Sequence, residues 1–291
     1  MPSRPAVALI VVFWLVVTGY VAYRDLWPVL FASGPPPVAI DLADEAAQNV
    51  PTRWTITLNG QKAGRLVTQI RYIDADDTFR FTHDYKQLRY AIGNTVVVVP
   101  ELRSVERITR AGDLREQSAE GTMELYQGEI KLGDVTAKVV GTVAEGQLTA
   151  VCDLKLTFAG GTPLTFNRTL PPVPVPSGQP LNPLQPLNRI ADLHPGRRWA
   201  IARNNPLDDA LGALGKEFGV NPPPASNEPL IGEVLAQPRD LDWRGKLVSC
   251  WVIEYREAEP VARTWVRVSD SKVLKQEAFK KGEQLSIERD E

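Results

Sequence analysis

The chain has 291 residues, a formal net charge of −2 and only two histidines. That balance shows no electrostatic footprint for nucleic acid, and two histidines leave little material for histidine-based catalysis or metal ligation. Hydrophobic content of 43% and charged content of 23% are those of a globular protein with enough chain to bury a real core.

Ala6 to Tyr23 is an uncharged run of 18 residues. As a helix rising about 1.5 Å per residue it spans about 27 Å, close to the hydrocarbon core of a bilayer. Tyr20, Tyr23 and Trp27 sit where interfacial aromatics belong, and Arg4 with the amino terminus places positive charge on the near side. The run has no polar face, which argues against a buried soluble helix. It is longer than the apolar region of a signal peptide, and Ala32-Ser33-Gly34 lie well past its end with Phe31 where a small residue is wanted. Residues 1–33 are therefore expected to be a cytoplasmic stub and single-pass anchor in the cytoplasmic membrane, with the rest of the chain outside the cytoplasm. Cleavage of the segment is the alternative. Residues 34–52, rich in Pro, Ala and Asp, read as a tether.

Residues 53–170 read as a series of short strands. Trp54, Ile56 and Leu58 alternate with threonines, and Asn59-Gly60 signals a hairpin. Leu66, Thr68, Ile70 and Tyr72 share one face of the return strand, and Phe79, Phe81, His83 and Tyr85 share one face of the next. Val96 to Val99 is expected to end at Pro100. Further strands are expected over 105–110, 114–118, 122–127, 135–140, 148–158 and 164–170. Gly112-Asp113, Gly121, Gly128, Gly133-Asp134, Gly146 and Gly160-Gly161 are read as the joints. Many short strands at such spacing predict an antiparallel sheet or barrel rather than alternating strands and helices.

Residues 171–192 form a proline-rich strap, with seven prolines in the 16 residues from Pro171 to Pro186. This stretch must be extended and is excluded from any central strand. A connector or edge cover is the simplest reading. Residues 193–291 open with a Leu193-His194-Pro195-Gly196 turn and a strand through Trp199. Asn205 then caps a helix with Pro206 at its first position, running from Leu207 to Phe218 with an apolar stripe of Leu207, Leu211, Leu214 and Phe218. Strands return over 230–236, 246–256, 261–268, 273–279 and 285–289, and the segment is expected to join 53–170 in one sheet. The fold class is mainly β: a membrane helix followed by a curved antiparallel sheet of half-barrel type with one short amphipathic helix.

Little chemistry is assembled by spacing. His83 and Asp84 are adjacent on a strand and so point to opposite faces. His194 lies in a proline turn. Asp208-Asp209 suits the first turn of a helix, and Asp240 and Asp242 read as a solvated turn. No nucleophile elbow, zinc helix, phosphate loop or dinucleotide fingerprint is present, so no catalytic residue, metal or cofactor is expected. Cys152 and Cys250 form a disulfide candidate outside the cytoplasm, yet alternation sets them on opposite faces, which leaves two buried free thiols as the other reading. The tryptophans read as core and strand edges, or else as an apolar cavity on the concave face lined by Trp54, Phe79, Phe81 and Trp251. Trp265, alternating with Arg263 and Arg267, is expected on the outer face.

The hairpin Trp54-Thr-Ile-Thr-Leu-Asn-Gly-Gln-Lys-Ala-Gly64 resembles the opening of bacterial envelope domains of the lipoprotein-carrier-like half-barrel type. So does the tail, with Cys250-Trp-Val-Ile-Glu-Tyr, then Arg263-Thr-Trp-Val-Arg-Val-Ser-Asp, then Lys272-Val-Leu-Lys-Gln-Glu277. The resemblance implies a curved sheet wrapped around helices that holds lipid or acyl chains. The anchor and the proline strap depart from that pattern, and no site residue carries over. The expected function is a membrane-anchored extracytoplasmic domain binding an apolar ligand or lipid. The alternative is a cell-envelope scaffold with a filled core that recruits an envelope protein partner along a sheet edge.

Overall fold

The structure is a computed structural model that describes residues 50–110, 112–175, 187–190, 193–201, 207, 230–257, 259–280 and 282–291. The expected anchor, the tether up to 49, the strap from 176 to 186 and the helix beyond Leu207 lie outside the described residues. Among the described residues no helix is long and apolar enough to cross a membrane.

Among the described residues sixteen strands make one antiparallel sheet. The first eight are β1 (Thr52–Leu58), β2 (Gln61–Ile73), β3 (Thr78–Ile92), β4 (Thr95–Thr109), β5 (Leu114–Gln127), β6 (Ile130–Ala144), β7 (Gln147–Phe158) and β8 (Leu164–Thr169). The rest are β9 (Val173–Pro174), β10 (Arg198–Ile201), β11 (Leu230–Val234), β12 (Arg239–Trp243), β13 (Lys246–Arg256), β14 (Pro260–Arg267), β15 (Val273–Lys280) and β16 (Glu283–Arg289). The spatial order runs β10-β11-β13-β14-β15-β16-β1-β2-β3-β4-β5-β6-β7-β8, with β12 on β13 and β9 on β7. First and last strands are neighbours, Ile56 standing opposite Ile287, so both halves of the chain belong to one sheet.

The largest core lies on one face. It takes Trp54 and Ile56 from β1, Leu66 and Ile70 from β2, Phe79 and Phe81 from β3 and Ile108 from β4. Across the seam it takes Ile253 and Tyr255 from β13, Ala262 from β14 and Ile287 from β16. Only Leu187, Ile190 and Leu193 enter it from described chain outside the strands. The sheet is curved, as the right-handed twist of adjacent strands permits, and this buried face runs across both halves of the chain. This is the inner face. A second inner cluster joins Val139, Leu148, Ala150, Cys152, Leu170 and Leu207. A third, with Leu241, Cys250 and Leu274, lies on the outer face under Trp243, Val248 and Trp265.

Three expected joints are strand interiors. β4 runs through Pro100, where the β4–β5 register shifts between Val98 and Glu101, and a bulge is where a strand tolerates a residue with no N–H. β5 runs through Gly121 and β6 through Gly133. A Cβ on Gly121 would lie 2.8 Å from the Glu101 carbonyl oxygen and 3.0 Å from Leu102 Cδ1, so this glycine admits a neighbour rather than making a turn. Asp240 and Asp242, expected in a loose turn, lie on β12, and an Asp242 carboxylate oxygen accepts the Gly245 N–H at 3.1 Å to close the β12–β13 hairpin. The start of the strap is an edge cover: β9 pairs with Gln147 and Leu148 of β7, and Val173 and Val175 pack on the second cluster.

Candidate functional site

Trp54, Phe79 and Phe81 do not line an open cavity. They are exposed by 0–1%, and the Trp54 indole N–H donates to Thr68 Oγ1 at 3.0 Å. Trp251 packs against the same core and stays half-buried. Three of these four aromatics are thus packed in the core, and Trp251 keeps part of its surface open. Trp199, buried on β10, stacks edge-on against Tyr255 with ring centroids 6.4 Å apart. Trp265 lies on the outer cluster, its indole donating to Glu277 at 2.8 Å.

The cysteines do not pair. Both are free and buried, Cys152 in the inner cluster and Cys250 in the outer one. Burial raises both thiols above their ordinary value, Cys250 to about 11, which keeps them protonated and poor nucleophiles.

His83 lies on the inner face of β3 and is almost wholly buried, and Asp84 points outward to an ion pair with Arg103 at 3.1 Å. Burial lowers the His83 pKa to about 4, so the ring is neutral, and its Nδ1 has no hydrogen-bond partner among the described residues. Beyond it on the inner face Gln117 donates to Glu106 at 3.0 Å, both buried. Glu254 on β13 and Glu277 on β15 are also buried, and Glu254 is held by two arginines. Burial pushes the Glu254 carboxyl up, but Arg256 and Arg263 bond it and the net effect lowers its pKa. Glu106, Gln117 and Glu254 are thus hydrogen-bonded within the sheet, and His83 is sealed from solvent. Among the described residues, no cluster of three metal-ligating side chains occurs.

Three surfaces stand open among the described residues. On the inner face, Leu154 and Leu156 of β7 and Val135 of β6 are half-buried, and Phe158 and Leu164 are 56% and 48% exposed. Register sets these side by side: Val135 opposite Leu156, and Leu156 opposite Leu164. They form an apolar shelf beyond the second cluster. On the outer face of β2 to β6, a depression of about 430 Å³ lies among Arg71, Arg80, Arg103 and Lys138. A further cleft of about 400 Å³ lies between the start of β1 and Arg189, Lys272 and Arg289. The sequence reading missed the shelf because its residues come from three strands. Alternation within β7 was the only signal for it.

Taken together, these features define a large β domain of one curved antiparallel sheet, with buried aromatic cores and open patches on both faces. No protein-family model matches the sequence, and no curated protein does. Among solved structures the chain is similar to a β-barrel-like protein of a domain of unknown function from Brucella abortus. The two share 9% identity and a TM-score of 0.33 over 82% of this chain and 95% of that one. A likeness of that strength carries no inference about ligand or activity.

Proposed function

We propose that this chain is a non-catalytic, membrane-anchored binding domain that takes an apolar chain, such as a lipid acyl group, on the inner face of β6–β8. The observation that carries the reading is the shelf of Val135, Leu154, Leu156, Phe158 and Leu164, left open beside the buried second cluster. An aliphatic and aromatic strip of this kind is costly to leave against water, at about 25 cal/mol per Å². It offers a hydrocarbon chain the same burial that the cores give their own side chains. The apolar run from Ala6 to Tyr23 supports anchoring, which would keep the domain beside a source of lipid.

The full chain, extracted in detergent and incubated with a photoreactive palmitate analogue, should crosslink within residues 154–166. Leu156→Glu with Leu164→Glu should reduce labelling at least tenfold with little change in secondary structure. Labelling confined to residues 6–23, or unaffected by the double variant, would count against the reading.

A scaffold role is favoured by one separate observation. Among the described residues β8 pairs only with β7, and five of its six residues are exposed, which leaves one row of its backbone N–H and C=O groups without a described partner strand and suited to strand addition. Crosslinks from β8 to another protein, with no lipid label, would select that role.

A further inference from the structure

The outer face carries an arrangement that neither the cores nor the shelf explains. Arg71 of β2 stands directly opposite Arg80 of β3, and Arg80 stands opposite Arg107 of β4. Like charges directly opposed on neighbouring strands weaken the pairing. Arg107 is neutralised by Asp76 and by Glu116, the latter at 2.9 Å. Arg71 and Arg80 have no carboxylate partner among the described residues, and both are exposed. The same two strands repeat the conflict at the other end, where Arg65 stands opposite Lys86.

The unpaired arginines open onto the depression of about 430 Å³. Arg103 and Lys138 complete its cationic wall, Arg103 holding Asp84 at 3.1 Å and Lys138 holding Glu120 at 3.6 Å. The Thr82 and Ser118 side chains line it with Val105 and Val140, and Val140 is largely exposed. The site thus combines two uncompensated guanidinium groups with two hydroxyls in a concave surface. Guanidinium forks match the spacing of phosphoryl oxygens and bond them two at a time. An anion placed between Arg71 and Arg80 turns a repulsive pair into a bridged one.

We propose that this depression binds a phosphate-bearing ligand, held between Arg71 and Arg80 with the Thr82 hydroxyl beside them. The phosphate can belong to a lipid headgroup or to a free phosphorylated molecule, and the test separates the two. The full chain in phosphatidylcholine nanodiscs is titrated calorimetrically with sodium pyrophosphate and with dihexanoyl phosphatidylglycerol, against empty discs. The same titrations are run on Arg71→Gln/Arg80→Gln, together with its chemical unfolding midpoint. Saturable binding that falls at least tenfold in the variant supports the site. A pyrophosphate preference assigns it to free phosphorylated molecules, and a lipid preference assigns it to a headgroup seated beside Val140. Absence of saturable binding to either probe overturns the proposal, as does binding unchanged in the variant. A lowered unfolding midpoint in the unliganded variant also overturns it, because the arginines would then be serving the fold.

Discussion

His83 is the residue whose burial has the clearest consequence. Its folded pKa is about 4 against an ordinary 6.5, so the folded ring stays neutral where the unfolded ring takes a proton. Stability is then full above pH 6.5 and falls as pH drops toward 4, by about 3 kcal/mol from this group alone. His83→Leu removes both the proton uptake and the unpartnered Nδ1. Urea unfolding at pH 7.5, 6 and 5 should show the acid-side slope reduced in the variant, with little change at pH 7.5. An identical slope would assign the pH dependence to carboxylates instead. The histidine's alternation with Phe81 and Tyr85 was legible in the sequence. Its lack of a partner was not, because that depends on what Ser104, Glu106 and Ala119 bring from two other strands.

At the scale of elements, the inner rows are packed by setting large side chains opposite small ones. Trp199 of β10 stands opposite Gly232 of β11, which stands opposite Tyr255 of β13, and the next positions are Ala262 and Ala278. A Cβ on Gly232 would lie 2.8 Å from the Trp199 ring. Gly232→Ala should therefore destabilise by about 1–3 kcal/mol, the usual range for overpacking, read as a shift in denaturation midpoint. Trp199→Leu in the same chain should recover part of that loss, since residues in contact couple. A purely additive double variant would mean that the ring has room to move. The same logic explains the misread joints. Gly121, Gly133 and Pro100 look like turn signals in one strand taken alone. Only the partner strand shows that they admit a neighbouring side chain or backbone, or sit at a bulge.

At the scale of the molecule, the seam between β16 and β1 joins the two halves of the chain. Thr55 Oγ1 bonds Asp290 at 2.7 Å, the Asn59 side chain accepts the Gln284 N–H at 2.8 Å, and the Arg289 guanidinium lies over the Trp54 ring. Removing residues 283–291 would bare the edges of β1 and β15 and open the largest core at Ile287. Exposed edges of that kind recruit other chains. The truncated protein should lose its cooperative unfolding transition and move to the insoluble fraction. A soluble, cooperatively folding truncation would mean that the two halves are stable separately.

The sequence by itself determined the class of fold, the strands with clean alternation, the Asn59-Gly60 hairpin and the opposite facing of the two cysteines. Each rests on period-two geometry or turn chemistry within a dozen residues of chain. The tertiary structure decided which aromatics are sealed in a core and which apolar residues stay open. It also decided that Arg71 and Arg80 oppose each other with no carboxylate partner among the described residues. Those outcomes depend on register between strands, and a shift of one residue would send every side chain concerned to the other face.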